Sequence, residues 1–301
     1  MTEGNSTLAR RRLGRKLRGG RLGAGLTLQQ SGGVIRVGAS SVHRLERGLV
    51  SGVDDGQVAA LCRIYEFDAE QTRDVLALVE EGEGVEWWGE YEDVMSAEFR
   101  TYVGLEGAAR EIRSYEADLM PGLLHTPAYA RVLLETLYPD EDAATIDRRV
   151  RLRMRRQELL EIPDGPGFQA VVRESAIRMT VGGPEVMAEQ CERLVEASFR
   201  PNIDIRVLPF SRGLPMREGG GPFVLLDFGS DGSGELVETP LVYIESFRGE
   251  QYLTEPDVVR KHREVYHTLL RNTLGPESSR EMLRRAGAEF ESRMDESPRE
   301  A

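Results

Sequence analysis

The chain has 301 residues, 40% hydrophobic and 30% charged, with a formal net charge of −12 at pH 7. That composition excludes a wholly disordered chain, and no apolar run approaches the ~18 residues of a membrane helix. Cys62 and Cys191 supply neither a disulfide framework nor a metal-binding spacing, and the basic start has no apolar run behind it, so a reduced, cytoplasmic setting is expected. The length predicts two domains. Charge is unevenly spread: residues 1–50 hold ten Lys/Arg against Glu3 and Glu46, net +8, which leaves −20 for the rest. Such a division points to a basic element that meets a polyanion, joined to an acidic body that does not.

In chain order, residues 8–22 place Leu8, Leu13, Leu17 and Leu22 at helical spacing, and Gly23 and Gly25 end that helix. Thr27 is the expected N-cap of a second helix, Leu28–Ile35. Arg36, Val37 and Gly38 form a tight turn, and a third helix, Ala39–Arg47, stops at Gly48. Two more amphipathic helices are expected over 55–66 and 68–81, and residues 82–85 read as a connector. The stretch 86–106 is rich in aromatics, and helical patterns continue over 107–118, 126–137 and 142–161, broken by Pro121-Gly122 and Pro139. Beyond residue 163 the pattern becomes β-α-β-β-β: strands at 168–177, 202–210, 223–228 and 241–247, with a helix at 184–199. The turn-rich GSDGSGE separates the last two strands, and helices at 256–274 and 277–292 precede a frayed ESPREA end. The expected architecture is multidomain. An all-α domain over 1–81 precedes a larger α+β domain over 86–301, made of a helical half and then a small mixed sheet with flanking helices.

Leu26–Gly48 has the requirements of a helix-turn-helix. Leu28, Ile35, Val37, Val42 and Leu45 pack two helices across a short turn, and Ala39, Ser40 and Ser41 are small enough to bring the third helix close to a DNA major groove. Arg44, one turn further on, is the candidate for reading guanine O6 and N7, with a phosphate contact as the alternative. His43 suits a base or a phosphate, and Ser40 alternatively caps the third helix. Arg47, Gln29 and Thr27 suit backbone contacts near helix ends, and Arg18 is a positioning charge. Glu46 is expected to pair with a neighbouring arginine inside the fold.

This segment resembles the XRE-type, lambda-repressor-like DNA-binding domains, on the ungapped run that ends in His43-Arg44-Leu45-Glu46-Arg47-Gly48. The strings WWGEYEDV (87–94), YVGLEGAAREIRSYEADLMPGLLHTPAYAR (102–131), RPNIDIRVLPF (200–210) and VYIESFRGEQYL (242–253) extend the resemblance to the actinobacterial regulators with a WhiJ-like or antitoxin-like C-terminal domain. The resemblance implies a cytoplasmic transcriptional regulator, often paired with a small separate protein that modulates it. One recognition helix reads too few base pairs to find a genomic site, so the expectation is a homodimer on double-stranded DNA at the nucleoid, with residues 86–301 providing dimerisation and reception of a partner protein or a ligand. The alternative is an antitoxin-like module that sequesters a partner protein, with weak or lost DNA binding. Members of the family carry helix formers where this chain has Gly19, Gly20, Gly32 and Gly33, and glycine where it has Arg36. Each interior glycine costs roughly 0.8–1 kcal/mol, so Gly20→Ala and Gly33→Ala are expected to stabilise an ordinary helix.

No enzyme, metal or cofactor is expected. The chain has no P-loop, H-E-x-x-H or nucleophile elbow, and His262 and His267 are five apart, off a shared helix face. Trp87, Trp88 and Tyr91 are expected to pack rather than to stack on a ligand. Glu174, Arg178 and Glu245 either line a pocket or form structural ion pairs.

Overall fold

The computed structural model describes residues 6–50, 52–84, 86–163, 165–213, 215, 221–230, 236–246 and 249–296. Residues 231–235 of the turn-rich GSDGSGE and 297–301 of ESPREA lie outside them. The chain forms two compact units, Met1–Glu90 with Arg100–Ala108, and Tyr91–Phe99 with Ala109–Ala301. Together they make a multidomain α+β protein.

The first unit holds α1 (Ser6–Gly23), α2 (Leu28–Val34), α3 (Ala39–Glu46), α4 (Asp55–Ile64) and α5 (Ala69–Gly82), with Arg100–Ala108 of α6 (Ala97–Ala108). Its core joins Leu13 and Leu17 of α1 to Ile35, Val42, Leu45, Val58, Leu61 and Leu78, with Leu28 and Val37 packed against it. The inner stripe of α1 differs from the expected leucine series. Leu22 is 59% exposed, and the residue four beyond Leu17, Arg21, is buried in its place. A stripe with a spacing of four rolls past position 22, and Arg21 finds a buried partner there, described below.

Local signals set the helix ends. Asp54 caps α4 by accepting from the Gln57 amide (2.8 Å), and Asp68 accepts from Gln71 N (2.8 Å) while the Gln71 side chain accepts from Asp68 N. At the other ends four successive helices stop alike, with a left-handed residue followed by an amide that reaches back five residues. Gly25, Arg36, Gly48 and Glu66 have φ between +58° and +69°, and Leu26, Val37, Leu49 and Phe67 donate to Arg21, Gly32, Arg44 and Cys62 carbonyls at 2.9–3.0 Å. Arg36 and Glu66 bear the cost of about 1–2 kcal/mol that an L side chain incurs in this conformation.

Close packing explains some of the interior glycines. A methyl group on Gly14 would lie 2.5 Å from the Glu46 carbonyl oxygen, and one on Gly32 would lie 2.5 Å from the Val37 oxygen. At Gly20 it would press into the Phe67 ring, so the expectation that Gly20→Ala stabilises is corrected: the site is filled from α4's exit. Gly19 and Gly33 face open space.

The second unit is built on a six-stranded mixed sheet of order β3-β2-β1-β4-β5-β6. The strands are β1 (Glu111–Glu116), β2 (Gly167–Arg173), β3 (Ile203–Leu208), β4 (Phe223–Asp227), β5 (Leu241–Ser246) and β6 (Gly249–Leu253). β1, β2 and β3 run parallel, and β4, β5 and β6 continue from β1 in antiparallel pairs. The parallel half requires crossovers. α7 (Pro127–Leu137) and α8 (Ala143–Gln157) connect β1 to β2, and α9 (Glu174–Arg178) and α10 (Pro184–Ala197) connect β2 to β3. α11 (Pro256–Arg271) places Val259, Tyr266 and Leu269 in one core with Tyr115, Val171, Phe223 and Val242, and α12 (Pro276–Glu296) closes the described chain. No helix among the described residues is long and apolar enough to cross a membrane.

Two expectations are corrected here. The helical pattern over 107–118 gives way to β1, the sheet's central strand, where Ile112 and Tyr115 bury on opposite faces and both edges are hydrogen-bonded. Tertiary pairing on two sides outweighs the helix propensity of the Glu- and Arg-rich string. Second, β6 adds a strand that the β-α-β-β-β pattern lacked, and residues 174–177, read as strand, turn into α9.

The glycine environments predict opposite responses on one framework. Gly14→Ala should lower the unfolding free energy by about 1–3 kcal/mol through overpacking against α3, whereas Gly33→Ala should raise it by up to about 1 kcal/mol. Urea unfolding followed by circular dichroism measures both, and a stabilising Gly14→Ala would contradict the close approach.

Candidate nucleic-acid interface

The helix-turn-helix runs from the start of α2 to the end of α3. Thr27 opens it with a capping box: its Oγ1 accepts from Gln30 N (3.2 Å), and Gln30 Oε1 accepts from Thr27 N (2.8 Å). The turn between the helices is the left-handed cap at Arg36, and the Ile35 carbonyl accepts from Gln57 Nε2 of α4 at 3.1 Å. The Val37 amide is thus tied to α2, the Ile35 carbonyl to α4 and the Gly38 carbonyl to the Ser41 and Val42 amides of α3, which together fix the angle at which α3 leaves the turn.

On α3, Val42, Leu45 and Glu46 are buried, and Ser40, Ser41, His43, Arg44 and Arg47 are exposed. With 100° per residue, Ser40, His43, Arg44 and Arg47 fall within one arc opposite the core, and Ser41 lies at its edge. Ala39 is half-buried at the helix start. Gly38 is the N-cap, and no side chain caps the helix, so the first amide N–H groups of α3 face outward; Ser40 is not its cap. Thr27 and Gln29 are exposed at the start of α2, with the Thr27 hydroxyl engaged in the capping box, and Arg18 is exposed on α1. The structure therefore brings Ser40, His43, Arg44 and Arg47 together on one surface. Among the described residues Arg18, Arg44 and Arg47 make no ion pair and no side-chain hydrogen bond, so their charges are uncommitted.

Arg21 is the opposite case, and sequence reasoning missed it. Its Nε donates to Glu46 Oε1 (2.5 Å), its Nη2 donates to Glu46 Oε2 (2.9 Å), and its Nη1 donates to the Leu26 carbonyl (2.9 Å). Hydrogen bonding to Glu46 raises the Arg21 pKa further above its ordinary value. The expected internal pairing of Glu46 is present, and Arg21 is its partner. The signal lay in the spacing: Leu13, Leu17 and Arg21 are four apart, so the arginine falls on the buried stripe.

Elsewhere, Glu174 and Arg178 are ion-paired at 3.3 Å, Arg178 also pairs with Glu289, and Glu174 Oε2 accepts from Phe210 N. They are structural, and Glu245 stands apart from them on β5. Trp88 is buried, with the Trp87 ring edge-on at 5.5 Å. His262 Nδ1 lies 2.8 Å from the Val258 carbonyl, with its ring against Phe223.

Residues 12–75 match a family described as Helix-turn-helix domain, and residues 99–285 match one described as Domain of unknown function (DUF5753). No curated protein and no solved structure matches the chain. The chain belongs to the DUF5753 family and carries an N-terminal helix-turn-helix domain.

The buried pair makes a sharp prediction. Arg21→Met should cost about 3–5 kcal/mol by stranding the Glu46 carboxylate, and the double variant Arg21→Met/Glu46→Leu should recover most of the loss. Chemical unfolding of the three proteins is the measurement, and equal losses in single and double variants would deny the pairing its structural role.

Proposed function

We propose that this member of the DUF5753 family is a sequence-specific DNA-binding transcriptional regulator that acts as a homodimer, with α3 in the major groove. The observation that carries the reading is the outward arc of α3, where Ser40, His43, Arg44 and Arg47 are exposed and both arginines are uncommitted. It sits in a segment whose net charge is +8. Arg44 reads a base edge, Arg47 and the uncapped start of α3 hold phosphates, and Arg18 adds a sequence-independent charge. One recognition helix reads too few base pairs to find a genomic site, which supports two-fold pairing. The larger unit modulates this activity through a partner protein or a ligand, as the resemblance to WhiJ-like and antitoxin-like actinobacterial regulators supports. No catalysis is assigned to it, and the setting is the cytoplasm, at the nucleoid.

Fluorescence anisotropy with the chain's own upstream DNA, across a salt series, tests the reading. Specific binding with a steep salt slope is expected. Arg44→Ala should cost roughly 1–3 kcal/mol on specific DNA and relax preference at one position per half-site, whereas Arg18→Ala should weaken specific and random DNA alike. Equal losses on both DNAs for Arg44→Ala would remove it from base reading. Tight capture of a neighbouring-gene protein without DNA binding would favour the sequestering, antitoxin-like alternative.

A further inference from the structure

Arg36, in the turn between α2 and α3, takes no part in the packing of the helix-turn-helix. Its neighbours Ile35 and Val37 both pack in the core, so its own side chain leaves the turn on the solvent side and is exposed. Its φ of +58° is the left-handed conformation that Gly25 and Gly48 supply at equivalent helix ends without a Cβ penalty. Among the described residues Arg36 makes no ion pair and no side-chain hydrogen bond. The turn meets the start of α4 where Gln57 Nε2 donates to the Ile35 carbonyl. Asp54 there caps α4 through the Gln57 amide, and neither Asp54 nor Asp55 pairs with Arg36.

The charges of the segment are one-sided. From Leu26 to Val50 the cations are Arg36, Arg44 and Arg47, with His43, and the one carboxylate is Glu46. Arg21 of α1 takes both oxygens of Glu46. Arg36, Arg44 and Arg47 are all exposed, so the segment presents three guanidinium groups with no counter-charge of its own. Two of them bracket α3: Arg36 lies two residues before the N-cap Gly38, and Arg47 is the C-cap. Two residues of chain span at most about 7 Å, which keeps Arg36 at the N-terminal end of the helix.

Helix α3 has 8 residues and is about 12 Å long. That is several times the ~3.4 Å axial spacing of phosphates along one strand, so charges at its two ends meet different phosphates. Arg36 stands outside the helix that reaches the base edges, and what lies outside them is the sugar-phosphate backbone. Glu66, at the exit of α4, is a natural control: it has the same φ of +58°, is likewise exposed, and carries the opposite charge. Backbone strain is therefore common to both residues, and what distinguishes Arg36 is the sign of its charge and its place beside α3.

We propose that Arg36 is a DNA-contacting residue in its own right, whose guanidinium holds a backbone phosphate at the N-terminal end of α3, apart from the phosphate held by Arg47. The proposal rests on the DNA-binding reading above and adds to it a contact that carries no sequence information. It gives stability and affinity opposite signs at one position. Glycine at 36 would relieve the left-handed strain, and the same change would remove a charge that only DNA meets.

Fluorescence anisotropy of the full chain across a salt series tests it, with a duplex from the chain's own upstream DNA and a random duplex of equal length. Arg36→Gly should raise the thermal midpoint and yet weaken binding to both duplexes alike, by about eightfold at 0.1 M salt. The slope of log affinity against log salt should fall in magnitude by about 0.9, the share of one phosphate. Arg36→Lys keeps the charge and should restore the slope. Glu66→Gly relieves the same strain and should raise the thermal midpoint with the slope unchanged. A wild-type slope in Arg36→Gly, whatever its affinity, or a loss confined to one duplex would overturn the proposal. Failure of the wild-type chain to bind either duplex would overturn the DNA-binding reading, and the proposal with it.

Discussion

A single guanidinium sets the geometry of the DNA-facing unit. Arg21 satisfies both carboxylate oxygens of Glu46 and the Leu26 carbonyl at once, so the last turn of α1, the end of α3 and the approach to α2 share one fixed point. A buried ion pair is a weak source of net stability, since desolvation offsets its Coulomb energy, but its directionality is strong. Glu46 faces inward only when α3 is rolled so that Ser40, His43, Arg44 and Arg47 face outward. Lysine at position 21 would offer a point charge and lose the fork that holds both oxygens and the carbonyl together. The outward arc of α3 is therefore a consequence of what is buried on the other side of the same helix.

The glycines belong to the same constraint. Helix α1 reaches α3 closely because Gly14 lets the Glu46 carbonyl approach, and Gly48 serves twice, as a left-handed cap and as the point where a side chain would strike the Arg11 backbone. Gly32 leaves room for the turn to fold back on α2. The helix-propensity cost of these residues is local, and the packing they permit is tertiary, so the two enter stability with opposite signs. Gly19 and Gly33 have no such compensation within reach of a methyl group. Arg36 carries a conformational cost that glycine would avoid.

Much of this unit was legible in the sequence because its determinants are local. Thr27, Arg36 to Gly38 and Gly48 mark the ends of α2 and α3 by capping chemistry that acts within a few residues, and the apolar spacing of Val42 and Leu45 fixes the inner face. Where partners come from far along the chain, reading was poorer. Arg21 and Leu22 exchanged roles because a residue twenty-five positions away decided between them, and Gly20 is filled by Phe67 from beyond α4. In the second unit, β1 read as helix because its string is locally helix-prone, and only β2 and β4, supplied by distant segments, make it a strand. The sheet's register was invisible for the same reason: Ser114 stands beside Val224, and Val224 beside Tyr243, and register has no signature in any one strand.

Charge distribution then decides how a chain with a net charge of −12 can meet a polyanion. The +8 of residues 1–50 is opposed by −20 elsewhere, yet at physiological ionic strength the Debye length is about 8 Å. Under the proposed function, a phosphate at the surface of α3 responds mainly to Arg44, Arg47 and the helix's own amide groups, and only weakly to any acid farther off than that length. Lowering the salt lengthens that reach, so repulsion from the acidic residues grows alongside attraction to the arginines. The acidic excess thus limits how far low salt strengthens non-specific binding, while short-range base contacts, which salt does not screen, keep their discrimination. On the proposed DNA-binding reading that combination favours discrimination, because the term suppressed by the chain's net charge is the one that carries no sequence information.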